Sequence, residues 1–213
     1  MTSNEGIKAA AAANATELDA GEFADADLED EDVEAIAEIK SLTSVRFIAG
    51  DIDSYAPLAK LPALRTLAIN HWSTDDLSSV GEITQLTKLD LSENEQYDDI
   101  GFVAKLENLE QLDLEDGQFE DLTPLSGLKK LRVLNLTNCD EVIDCSPLSS
   151  ITTLEELHLN STGIDNVTPL SSLDRLELLD IRGTEVTDLG PLKGLKLSRG
   201  LLLDDDREYD NRP

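Results

Sequence analysis

Aromatic residues make up only 4% of the 213-residue chain. A low aromatic count with many leucines suits thin, regular layers. The chain offers two histidines, His71 and His158, and two cysteines, Cys139 and Cys145. Two cysteines by themselves do not make a disulfide framework or a zinc site. No apolar run approaches the ~18 residues of a membrane-spanning helix. Basic charge is scarce: 17 lysines and arginines face 45 acids, for a formal net charge of −28. Such a surface repels phosphate backbones and anionic lipid, which argues against direct binding to nucleic acid or membranes. No glycine-rich phosphate loop occurs. Carboxylate neighbours such as Asp51 and Asp53, Asp75 and Asp76, or Asp98 and Asp99 are expected by chance at this acid content, and none has calcium-loop spacing. No metal and no cofactor are expected. Met1 to Ala10 shows no basic leader before a long apolar stretch, so a cytoplasmic location is expected.

What the chain does have is a period. Leu42, Leu64, Leu86, Leu109, Leu131, Leu154 and Leu176 open successive units of 22 or 23 residues. A unit of this size cannot bury its apolar face alone, so the units must stack around one long shared core. Within each unit, alternation such as Leu112-Asp-Leu114 marks a short strand with one face inward. The later Leu-x-x-Pro-Leu-x-x-Leu segment is too short for an α-helix, and proline in its first turn suits a tight 3₁₀-like return. The longer units, from Leu86 and Leu131, carry their extra residue in the turn after the strand, on one rim. Both cysteines fall where a unit needs a small inward residue, so buried free thiols are expected.

Residues 1–26 read as an acidic, loosely ordered segment with an alanine tract. Residues 27–41 read as a helical cap: Val33, Ile36 and Ala37 lie at helical spacing, with Asp30 and Asp32 at the start. Residues 42–203 hold seven repeats and a terminal strand near Gly200–Leu203. Residues 204–213 form a charged tail that could protect the last sheet edge.

The pattern Leu-x-x-Leu-x-Leu followed by an Asn or Cys slot is the leucine-rich-repeat signature. Asn94 and Cys139 hold that slot, with Gly117, Thr162 and Thr184 replacing it elsewhere. With Asp-Leu-Thr-Pro124 and Asn166-Val-Thr-Pro169, the repeat resembles the internalin-type 22-residue subclass of bacteria. The resemblance implies an α/β solenoid: a right-handed superhelix with a parallel concave β-sheet, 3₁₀-like convex segments and an N-terminal helical cap. It also implies gripping of protein partners by the concave face.

Alternation lets the outward residues be read by arithmetic. One column holds Arg46, Ala68, Asp90, Asp113, Asn135, His158 and Asp180. The next holds Ile48, Asn70, Ser92, Glu115, Thr137, Asn160 and Arg182, and a third holds His71, Glu93, Asp116, Asn138 and Ser161. Asp90, Glu93, Asp113, Glu115 and Asp116 form a central carboxylate block whose mutual repulsion costs stability and would be relieved by a basic partner. The candidate contact surface is this block with Asn135, His158, Asp180, Arg182, His71 and Trp72. Trp72 occupies the Asn slot of the second repeat, either as core filler or as an aromatic anchor. His71 and His158 lie four strands apart, roughly 19 Å at ~4.8 Å per strand, and cannot share a metal.

The expected function is a non-enzymatic protein-binding module for a basic protein, of inhibitor or immunity type, monomeric when free. One alternative is a structural or scaffold protein whose acidity serves solubility or salt adaptation. Another is a hydrolase using carboxylate chemistry, although no nucleophile, base and orienting group converge.

Overall fold

The computed structural model describes residues 2–23, 28–48, 50–70, 76–94 and 97–204. His71, Trp72, Asp75 and the charged tail from residue 205 lie outside them, so nothing further is said of those sequence readings. Nine strands form one parallel sheet in chain order. They are β1 (Glu17–Asp19), β2 (Ser44–Ile48), β3 (Thr66–Asn70), β4 (Lys88–Asp90), β5 (Gln111–Asp113), β6 (Val133–Asn135), β7 (Glu156–His158), β8 (Leu178–Asp180) and β9 (Gly200–Leu202). Each repeat from β2 to β8 returns through a five-residue 3₁₀ turn, such as Thr123–Gly127 or Thr168–Ser172. This is the leucine-rich-repeat solenoid that the period implies.

The register follows the leucines. Leu67, Leu89, Leu112, Leu134, Leu157 and Leu179 pair strand to strand. All are at most 1% exposed and stack into one continuous core. Each contributes roughly 1.5–3 kcal/mol by leaving water. The two cysteines belong to that core as free thiols. Burial pushes the Cys139 thiol up to about 12 and the Cys145 thiol up to about 11. Tyr97 and Phe119 stack at 5.7 Å within the core.

The N-terminal end departs from the sequence reading. Residues 1–26 were expected to be loosely ordered, yet they contribute helix α1 (Ser3–Ala13) and strand β1. Thr2 and Glu5 close a capping box at the start of α1. Ile7, Leu18, Ala20 and Phe23 join the core. The first repeat strand is therefore not the sheet edge, because β1 pairs beside it from Glu17↔Ser44 to Asp19↔Arg46. The cap helix α2 (Asp30–Ile36) is shorter than the expected 27–41 and buries Val33 and Ile36. The terminal strand appears at Gly200–Leu202, but its end of the core is less covered: Leu197, Leu201 and Leu203 are only partly buried. None of the described helices is long and apolar enough to cross a membrane.

Candidate functional site

The concave face carries the columns that alternation assigned. Arg46, Ala68, Asp90, Asp113, Asn135, His158 and Asp180 sit opposite one another on successive strands. The acid in this column also shapes the backbone. Asp90, Asp113, Asn135 and Asp180 each accept, through Oδ1, the amide two residues on, from Ser92, Glu115, Thr137 and Arg182 at 3.0–3.2 Å. These Asx turns end the strand. Glu93, Asp116, Asn138 and Ser161 then take left-handed φ of 57–66°, and Gly183 takes 67° in the equivalent place. The chain bends out of the sheet there, so Glu93 and Asp116 stand at its rim rather than on it. Glutamate and aspartate in this conformation are less favourable than the glycine of the last repeat.

The central block is held by amides. Asn70 Nδ2 donates to Asp90 Oδ1 at 3.1 Å, and Asn135 Nδ2 donates to Asp113 Oδ1 at 3.0 Å and Glu115 Oε2 at 3.2 Å. Asn138 Nδ2 reaches Asp116 Oδ1 at 2.9 Å. Asp90 and Asp113 face each other across adjacent strands. Burial raises the carboxyl pKa of Asp113, and the Asp90 charge adds to it. Burial likewise raises that of Glu115, with Asp113, Asp116 and Glu93 adding.

Further along, the same columns are neutralised. Asp180 is 2% exposed and ion-paired with Arg182 at 2.6 Å. Burial raises its pKa, but the Arg182 hydrogen bonds outweigh this and the carboxyl sits below its ordinary value. His158 places Nε2 2.9 Å from Glu156 Oε1 and Nδ1 3.9 Å from Asp180 Oδ2. Glu156 is held below the ordinary carboxylate value, first by His158 and also by Arg199. Arg182 thus reaches Asp180 before any partner could.

One outward column escaped the arithmetic. Lys88, Gln111, Val133, Glu156 and Leu178 are also in register. They share the concave face with the residue two places on. The same alternation would have found them. The face is therefore acidic in its centre and mixed toward its C-terminal side, not uniformly negative.

For Asp76 and Asp99, two of the acids read as chance neighbours, that reading is corrected. Asp76, Asp99, Asp121, Asp144, Asn166 and Asp188 each accept an amide two residues on, at 2.6–2.9 Å. The donors open the 3₁₀ turns, so in the second to seventh repeats one acid or amide starts the return segment, while in the first Ser54 Oγ accepts from the Ala56 amide. The hydrogen bonds from Ser78 and Thr123 hold the Asp76 and Asp121 carboxyls below their usual range. The signal was legible: an Asp or Asn two places before Ser, Thr or Gly, once per period. A share of the acidity is thus structural.

Several solved structures resemble this fold. An internalin of Listeria monocytogenes matches with a TM-score of 0.68 and 28% identity, over 80% of this chain and 49% of that one. Internalin C2 of the same organism matches with a TM-score of 0.68 and 22% identity, over 82% and 75% of the two chains. The mouse RP105/MD-1 complex matches with a TM-score of 0.60 and 22% identity, over 81% and 32%. The chain spans about half the length of the first of these, at 49%. No family model matches the chain. No curated protein matches it in sequence. The protein is an internalin-like leucine-rich-repeat solenoid, a repeat module of the kind that serves protein interaction. Its likeness to the Listeria proteins fits a bacterial repeat of this subclass.

Proposed function

We propose that the chain is a non-enzymatic module that engages a basic protein through the acidic centre of its concave face, as an inhibitor or immunity-type protein would. The observation that carries this is the in-register pair Asp90↔Asp113, with Glu115 beside it. Like charges sit opposite each other, bonded to amides and a hydroxyl, where the seventh repeat uses Arg182. Cations from a partner would relieve that repulsion and draw the partner in at long range. The cysteines are poor nucleophiles, since burial pushes both thiols up and each is spent on a backbone carbonyl, Leu114 or Asn166. An open sheet face suits a protein surface better than a small molecule, which prefers a concave pocket.

The test is complex formation as ionic strength rises. A basic partner should bind steeply more weakly from 50 to 500 mM salt, by roughly tenfold or more. The double variant Asp113→Asn/Glu115→Lys should weaken it likewise, because Asn135 shows that asparagine sustains the turn. Affinity indifferent to both would sink the reading. A structural or scaffold role remains as a second reading, favoured by the acids that start the 3₁₀ turns.

A further inference from the structure

The acids that cap turns have a local use. Setting them aside leaves others with none, and the rim after the strands collects them. Asp98, Glu120 and Asp165 each follow the inward residues Tyr97, Phe119 and Ile164 and stand exposed in one column. In the fifth repeat the residue in that column is Ile143, following buried Val142. Ile143 is 65% exposed, and only Leu202 joins it as an exposed large apolar side chain among the described residues.

Three features set Ile143 apart from an incidental surface residue. It follows the turn that carries the extra residue of a 23-residue repeat, and such insertions map to loops on one face, often the one used for binding. It is seated rather than dangling: a Cβ on Gly163 of the next repeat would lie 2.8 Å from Ile143 Cγ2 and 2.7 Å from the Asp140 carbonyl oxygen. Only glycine lets the longer turn lie down there. Its surroundings are charged, with Asp140 and Glu141 in its own turn and Glu120 and Asp165 in the same column on either side. An apolar anchor ringed by charge is how interface centres are built.

We propose that this rim patch is a second contact for the basic protein partner, and that Ile143 docks on an apolar patch bordered by lysine or arginine. The inference rests on the reading that the chain engages a basic protein. It adds that the partner is amphipathic and overlaps the rim after β6 instead of lying wholly within the sheet.

Two synthetic peptides of equal length and equal lysine content test it, one with leucines between the lysines and one with serines there. Anisotropy is measured against the full chain and its Ile143→Ser variant, whose fold is checked by circular dichroism. The leucine peptide should bind roughly tenfold more tightly than the serine peptide. Ile143→Ser should abolish that preference and leave the serine peptide unchanged. Equal binding of the two peptides, or a preference that survives Ile143→Ser, overturns the proposal. Glu115→Lys separates the two sites. If it weakens both peptides while Ile143→Ser does nothing, the concave reading stands and the rim contact falls. If it changes nothing while Ile143→Ser removes the preference, the rim stands and the concave reading falls.

Discussion

Asp113 and Asp180 occupy the same place in two repeats, yet their environments oppose each other. Each ends its strand with an Asx turn, to Glu115 at 3.1 Å and to Arg182 at 3.2 Å. The residue two places on decides the rest. Glu115 adds a second negative charge beside Asp113, whereas Arg182 folds back and donates to Asp180 from Nε at 2.9 Å and Nη2 at 2.6 Å. One carboxyl titrates above its ordinary value and the other below it. A repeat therefore conserves backbone geometry while leaving charge free to vary. The centre of the face stores repulsion that a partner can release, and its C-terminal side has already spent its charges internally.

Exchanging the deciding residue is the sharpest way to break this contrast. Arg182→Glu leaves Asp180, 2% exposed, without its Arg182 ion pair and should lower the midpoint of urea unfolding. Glu115→Arg installs the missing pair beside Asp113 and should stabilise by about 1 kcal/mol. If both exchanges moved stability the same way, the contrast would be wrong. Neutralising the column gives a smaller effect. Asp180→Asn should cost about 1–2 kcal/mol, while Asp113→Asn should be neutral or stabilising by about 0.5 kcal/mol, since it keeps the turn and removes a repulsive charge.

Acid should separate the two regions next. For Asp113 and Glu115 the folded-state value is raised, so their contribution is fully present below the ordinary carboxylate value of about 4 and lost as pH rises through the raised one. For Asp180 and Glu156 it is depressed, so their contribution is present above about 4 and lost as pH falls through the lowered value. Amide exchange, corrected for intrinsic rate, should slow in the fourth repeat as pH falls toward about 4 and stay level in the seventh over the same range. Acceleration in the fourth repeat would contradict the assignment. Salt gives the smallest effect: screening should strengthen the fourth repeat by a few tenths of a kcal/mol and slightly weaken the seventh, where Arg182 is half-exposed. Exchange at 0.05 and 1 M salt reads this out.

Much of the fold was legible because leucine spacing and alternation are properties of the local backbone. The strand at Gly200–Leu202 and the outward columns follow from counting alone. Strand β1 was not legible. Glu17-Leu-Asp has one apolar residue and no repeat around it, and it becomes a strand because the Thr16 carbonyl accepts the amides of Thr43 and Ser44. The turn-starting acids were legible in principle, as Asp121-Leu-Thr123 and Asp144-Cys-Ser146 show. They were hidden because acids are common everywhere in the chain. The seat of Ile143 was not legible, since it needs Gly163 from the following repeat.

By itself, the order of residues determined which side chains face inward and which face out. That depends on a period of two along a strand and a period of 22 or 23 between strands, and neighbours in the chain carry both. Only the tertiary structure decided which outward acids remain charged and uncompensated. Their partners arrive from other turns of the coil, as Asn135 reaches Asp113 across 22 residues and Arg199 reaches Glu156 across 43. Electrostatic energy depends on distance in space, and stacking sets that distance.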